Sequence, residues 1–424
     1  MNTLWRLAAA SSWHRRGTLA LVAASIALAT LLLLTLERLR EDIRAGFSQS
    51  VSGTDLIVGA RTGPVQLMLH SVFHQGGATA AVRLKSLQEI AGHRAVAWMV
   101  PLALGDSHRG HPVLGTTAEY FQRFQYGDRR PLAFAQGRAF AGTLDGLYEA
   151  VIGAEVAQSL GYALGQPLTL SHGLGGTGAL EHQDKPFVVV GILARTGTPV
   201  DRTVHVSLQA IEALHLDWAG GAPLPGMKIA PEHARKFDLE PRQVTAALLG
   251  LRGRAAVFAV QRHVAAYEAE PLMAVLPGVA LDELWQAVGV GERALMAISV
   301  LVAAVSLAGL VAVVLAGLNE RRRELAVLRA VGAGPRHVLG LLLAEGLLVT
   351  GTGVAAGAAA SVLGVAAAAP WVQTHLGIAL QASLPGASQG LLMAAIVIAG
   401  MLASLMPALR AYRLSLADGL MPRV

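Results

Sequence analysis

The sequence predicts an α-helical membrane protein with four transmembrane helices plus a large α+β extracytoplasmic domain inserted between helices 1 and 2. Three observations predict it. The 424 residues are 53% hydrophobic but only 15% charged, against roughly 25% charged in a soluble domain, and the mean hydropathy is +0.50. Apolar stretches long enough to cross a bilayer occur once near the start and three times near the end. Between them, residues 37–291 carry nearly balanced charge and short mixed patterns suited to a domain with its own core. There is no cysteine, which excludes a disulfide scaffold and any thiolate-ligated zinc or iron–sulfur centre.

In chain order, residues 1–17 form a short basic segment and residues 18–36 the first span. At 1.5 Å per residue this span reaches about 28 Å, close to the hydrocarbon thickness. Residues 292–318 form the second; the uncharged part, 294–318, reaches about 37 Å and crosses with some tilt. Residues 346–409 contain no Asp, Glu, Lys or Arg and are too long for one helix. Pro370, Trp371, Gln373, His375, Pro385 and Gly386 divide them, leaving spans at 338–369 and 389–409 with a loop at 370–388. Residues 410–424 form the C-terminal tail, and 292–424 group as one membrane domain.

The basic residues cluster at one set of ends: Arg6, Arg15 and Arg16 before the first span, Arg321, Arg322, Arg323, Arg329 and Arg336 between the second and third, Arg410, Arg413 and Arg423 after the fourth. The positive-inside rule puts both termini and the segment 319–337 in the cytoplasm, and 37–291 and 370–388 outside, in the periplasm of a cell with an outer membrane. Topology therefore accounts for the net charge of +6, and nucleic acid is not expected as a partner. The first span is read as retained, because its apolar run exceeds a signal-peptide core and the charged segment Glu37-Arg38-Leu39-Arg40-Glu41-Asp42 follows without a small-residue cleavage site.

Within the insertion, strands are expected at 55–60, 95–104, 167–170, 187–193 and 203–206, and helices at 155–160, 208–214 and 257–267. Residues 36–47 extend the first span and 280–289 lead into the second, with Leu281, Leu284, Trp285 and Val288 at helical spacing; both read as stalk helices. Gly173-Leu174-Gly175-Gly176-Thr177-Gly178 matches a dinucleotide fingerprint, but no helix pattern follows to hold a pyrophosphate, so it reads as a hairpin loop. His70 and His74 are four apart, and His108 and His111 three apart. A zinc site needs three or four convergent ligands, so the reading is scattered histidines and no metal site, with metal sensing a minor alternative.

Residues 319–337 carry the sharpest signal. Asn319-Glu320-Arg321-Arg322-Arg323-Glu324-Leu325-Ala326-Val327-Leu328-Arg329-Ala330-Val331-Gly332-Ala333-Gly334-Pro335-Arg336 reads as a short amphipathic helix. Leu325, Leu328 and Val331 lie on one side and arginines on the other; Gly332 and Gly334 end it, and Pro335 starts the next helix. Such a helix can present charge to a partner or anchor to lipid headgroups. The stretch resembles the coupling segment of FtsX-like permeases, the ABC-transporter membrane subunits related to the macrolide exporter MacB and the lipoprotein-releasing permeases. The similarity extends over the chain: the layout of spans, Ser52-Gly53-Thr54-Asp55-Leu56-Ile57-Val58-Gly59-Ala60 as the start of a MacB-like periplasmic core, and the ending Pro407-Ala408-Leu409-Arg410-Ala411-Tyr412-Arg413. Gly197-Thr198-Pro199-Val200-Asp201-Arg202 is similar to a segment of stand-alone permeases, some linked to metal homeostasis.

The resemblance implies an inner-membrane, non-catalytic permease subunit working with a separate ABC ATPase, with Glu320, Arg321, Arg322, Arg323, Glu324, Leu325, Leu328, Arg329 and Gly332 as the ATPase-coupling residues. The chain has no phosphate-binding G-x-x-x-x-G-K-[ST], for its only lysines are Lys85, Lys185, Lys228 and Lys236 and none follows a glycine. No cofactor is therefore expected in this chain; ATP and Mg would be held by the partner ATPase. The resemblance also implies a homodimer or pseudo-dimer of permeases and a periplasmic adaptor or substrate protein. Gly353 and Gly357, a G-x-x-x-G in the third span, would allow close helix packing between two permeases or within one. The spans contain almost no charge, which disfavours a polar channel; Glu345, the exception, is expected near the cytoplasmic interface. Three outputs follow: export or extraction of an amphipathic peptide, lipoprotein or drug; non-transporting mechanotransmission to a periplasmic partner such as a cell-wall hydrolase; or a role in a zinc-linked ABC system.

Overall fold

The computed structural model describes residues 16–50, 52–75, 80–173, 182–219, 222–224, 226, 228–320, 327, 330–376, 380 and 383–413. They divide into two compact units, one of residues 1–43 and 288–424 and the other of residues 44–287.

The helical unit is built from four helices long and apolar enough to span a membrane. The first, α1, is Arg16–Gln49. Three more follow the inserted unit: α7 Pro277–Glu320, α8 Pro335–Leu376 and α9 Ala387–Arg413. Both stalk segments are continuous with their spans, within α1 and α7. The third span ends later than the breakers suggest: α8 runs through Pro370 to Leu376. A proline removes one donor and clashes with the preceding turn, yet close to a helix end the chain can bend to accommodate it. The unit packs around Leu19, Val22, Ile26 and Leu33 of α1, Leu310 and Val314 of α7, Val338, Leu342, Val349 and Val354 of α8, and Ile396 and Ala408 of α9.

The inserted unit is α+β. Its main sheet has eleven strands: β1 Leu56–Ala60, β2 Val96–His108, β3 His111–Thr116, β4 Phe134–Gly137, β5 Glu149–Ile152, β6 Pro167–Leu168, β7 Ser171–His172, β8 Phe187–Leu193, β9 Val204–Ser207, β10 Ala246–Leu251 and β11 Leu272–Val275. The spatial order is β11-β1-β10-β2-β3-β9-β5-β8-β4, with β7 added to β2 and β6 to β8. The long β2 joins two halves of this sheet. It pairs with β10 through residues 96–102 and with β3 through 103–108. Arg109 and Gly110, at φ 47° and 84°, turn β2 into β3, as a two-residue hairpin with positive φ at both central positions requires. The helices α2 Pro64–Ser71, α3 Leu84–Ala91, α4 Ala154–Leu160, α5 Leu208–His215 and α6 Val257–Ala265 cover the sheet. The Ser207 hydroxyl caps α5 by accepting from the Ala210 amide at 3.1 Å, and Gly161 at φ 68° ends α4 in the left-handed conformation.

Expected strands at 55–60, 95–104, 187–193 and 203–206 and all three expected helices coincide with observed elements within a few residues. The sequence reading missed β3, β4, β5, β10, β11, α2 and α3. Their compositions explain it: Ala-Ala-Leu-Leu-Gly-Leu in β10 and Leu-Met-Ala-Val in β11 are as compatible with helix as with strand, and cross-strand neighbours decide between them.

Candidate functional site

Of the coupling residues, Arg321, Arg322, Arg323, Glu324, Leu325, Leu328 and Arg329 lie outside the described residues; Glu320 is the last residue of α7. Beyond them, the Val331 amide donates to Val327 O at 3.0 Å, a helical bond. Gly332 follows at φ 103°, a conformation that stops a helix and that a side chain would resist. Val327 and Val331, one turn apart, are 59% and 84% exposed. Pro335 begins α8, its fixed φ matching the first helical turn.

The helices of this unit meet at small residues. A Cβ built on Gly353 would stand 2.9 Å from Ile26 Cβ and from Ala23 O, and one on Gly357 would collide with Ala27 O and Thr30. The G-x-x-x-G thus faces α1 of the same chain. Gly346 gives the same close approach to Ser404 of α9, and Gly400 to Thr350 of α8. Thr35 and Ser361 bridge α1 and α8 through their hydroxyls at 3.0 Å. A polar layer follows along α1: Arg38 donates to Ser383 Oγ, Arg40 pairs with Glu292 at 3.3 Å, and the Ser388 hydroxyl donates to Glu41 at 2.6 Å. Glu345 is 1% exposed, so it is enclosed by the helices of this unit.

In the inserted unit, the Gly197–Arg202 stretch forms a tight, self-capped turn. Asp201 accepts from the Thr196 amide and hydroxyl and from the Gly197 amide, each at 2.8 Å. Burial raises its pKa against the pull of these donors. The stretch is a structural corner supporting β9. Of the Gly173–Gly178 motif only Gly173 is described, at φ 81°.

The histidine pairs picked out by spacing do not come together as ligands. His108 and His111 are opposed across the β2–β3 hairpin, and their nitrogens are engaged: His108 with Thr169 O at 2.6 Å and the Tyr162 hydroxyl at 3.1 Å, and His111 Nδ1 with Arg202 O at 3.2 Å. His74 Nδ1 donates to the Thr203 hydroxyl at 3.0 Å. A different set converges, Asp106, His172, His182 and His215. Burial raises the Asp106 pKa while the flanking imidazoles oppose the shift. Beside them the buried Lys185 ammonium donates to Asp217 at 2.5 Å and to Leu214 O at 3.3 Å. Burial pushes the Asp217 pKa up, but the bonds from Lys185 and the Ile229 amide outweigh it and hold the carboxyl below its usual value. This pair ties the His182 segment to the end of α5.

Comparison with known families places these features. The family described as MacB-like periplasmic core domain matches residues 17–231, just over half of the chain, and that described as FtsX-like permease C-terminal matches residues 296–416. The chain belongs to the FtsX-like permeases with a MacB-like periplasmic core. The resemblance read from the sequence is borne out. Like other FtsX-like permeases it is a membrane subunit of the ABC class, a class generally non-catalytic and paired with an ATPase in a dimeric arrangement. No curated protein matches it. Two similar solved structures are the periplasmic region of MacB from Actinobacillus actinomycetemcomitans and the extracellular domain of the ABC-type transporter YknZ from Gram-positive bacteria. The first shares 9% identity, covers 56% of this permease and 97% of its own chain, and has a TM-score of 0.34. The second shares 12%, covers 52% and 99%, and has a TM-score of 0.31.

Proposed function

We propose that this permease couples ATP hydrolysis by a separate ATPase to movement of its periplasmic domain, and that the movement exports or extracts an amphipathic substrate such as a peptide, lipoprotein or drug. The observation that carries the reading is the length of α1 and α7. They have 34 and 44 residues, where a span needs roughly 20, and each continues without a break into residues of the inserted unit. A force applied near residues 320–332 would travel along such rods. Docking there is supported by the exposure of Val327 and Val331, apolar side chains on a basic, amphipathic segment. ATP and Mg would be bound by the partner chain. Transmission through the spans, in place of a polar path between them, fits their scarcity of charge.

The test replaces Glu324 and Leu328 together, by Ala and Asp. Association with the ATPase, or the ATPase rate that the permease stimulates, should fall at least tenfold, a loss of about 1.4 kcal/mol, while membrane insertion is unchanged. Undiminished assembly with the ATPase would overturn the coupling assignment. Capture of an adaptor or lipoprotein by the periplasmic domain supports export or extraction, and capture of a cell-wall hydrolase in its place counts against it.

A further inference from the structure

We propose that Asp106, His172, His182 and His215 together bind one zinc ion in the inserted unit. The sheet assembles them from separate parts of the chain. Asp106, near the end of β2, and His172, on β7, are directly opposed in the antiparallel register. His215 is the last residue of α5, and His182 precedes β8. One ligand atom from each lies within 4.8 Å of all the others. His172 Nδ1 is 3.1 Å from Asp106 Oδ1 and 3.2 Å from His215 Nε2, and His215 Nε2 is 3.7 Å from that same oxygen. In a tetrahedral shell with zinc bonds of about 2.0–2.1 Å, neighbouring ligand atoms stand about 3.3–3.4 Å apart. Three of the four groups are therefore already spaced as the edges of such a shell.

Hydrogen bonding within the cluster does not account for its composition. His215 Nδ1 contacts Ile211 O at 2.8 Å and must donate to it, which leaves the Nε2 lone pair turned toward His172 and Asp106. A polar network complete in itself would also use His182. That side chain is fully buried, yet neither ring nitrogen has a hydrogen-bond partner among the described residues. Leaving such a buried group unmatched is costly, and a metal bond to one nitrogen would remove that cost.

The donor set selects the ion. Three imidazoles and one carboxylate suit zinc and are too rich in nitrogen for calcium or magnesium. Four protein ligands would fill a tetrahedral shell and leave no position for a reacting water, so the site holds metal without hydrolysing anything. The surroundings are those of a supported site. The Ile211 carbonyl orients His215, as second-shell acceptors orient metal-bound imidazoles. The Lys185–Asp217 pair fixes the backbone on either side. The Trp218 ring centroid lies 4.1 Å from that of His182. The side chains of His172 and His215 are 39% and 28% exposed, which gives an ion access from solvent.

The site is independent of ATPase coupling and is tested on the permease alone. The full chain, purified in detergent without a polyhistidine tag and stripped with chelator, is titrated with zinc chloride by calorimetry and by tryptophan fluorescence. One zinc per chain is expected, with an emission change from Trp218. His172→Ala and Asp106→Asn should each weaken binding on the order of 100-fold, while His70→Ala, outside the cluster, binds as the natural chain does. His172 is partly exposed, so its variant should keep the circular dichroism of the natural chain without metal. Substoichiometric zinc in the natural chain, or wild-type affinity in both ligand variants, overturns the proposal.

Discussion

Burial sorts the fourteen histidines into different roles, and spacing along the chain does not. His205 is enclosed by the core and His74 is partly buried beside it. Burial lowers the His74 pKa to about 3, with His205 and His70 adding repulsion, and lowers the His205 pKa to about 4. A histidine whose folded pKa lies below its unfolded value of 6.5 binds fewer protons folded than unfolded in the window between them. Stability is therefore unaffected above pH 6.5 and falls as pH drops toward about 4. The melting temperature of the inserted unit should decline across this window, and decline less in His205→Asn, whose amide can replace the contact from Nδ1 to Val151 O. A flat profile in the natural chain would contradict this. The i,i+4 and i,i+3 spacings directed attention to His70, His74, His108 and His111, whereas the convergent set is His172, His182 and His215 with Asp106. The only signal for that set is the pairing of β7 with β2, a two-residue strand that no local pattern marks.

Helices α4, α5 and α6 were legible because a 3.6-residue period is local, and the span helices because hydropathy accumulates residue by residue, whereas α2 and α3, of eight residues each, were not. Glycine shows where that legibility stops. Gly353, Gly357 and Gly364 look equivalent in an Ala- and Gly-rich span, but only the first two abut α1, while a Cβ on Gly364 would meet nothing within 4 Å. Gly357→Leu should push α1 and α8 apart at a cost of about 1–3 kcal/mol, in the range for overpacking. Gly364→Ala should be neutral or slightly stabilising. Resistance of the detergent-solubilised chain to denaturation by SDS separates the two; equal behaviour would remove the packing assignment. Strands in the inserted unit were legible where Val and Ile are dense, as in β8, and illegible where Ala and Leu predominate, as in β10.

For the whole molecule, the testable consequence is a two-sided arrangement about the bilayer. The natural chain has no cysteine, so single cysteines report without background. In intact cells a membrane-impermeant thiol reagent should label Asp128→Cys, at an exposed position of the inserted unit, once the outer membrane is permeabilised, and should not label Arg336→Cys at the start of α8. Labelling of both from the same side would contradict the topology. The sequence by itself determined the four long apolar helices, the large α+β domain between the first and second, and the family, because hydropathy, residue patterning and motif order are properties of the chain read in one dimension. Only the tertiary structure decided that the G-x-x-x-G serves α1 of its own chain, that Glu345 is enclosed, and which histidines meet. Each of these depends on contacts between residues far apart in sequence, and such contacts are selected by the cooperative burial of a whole core.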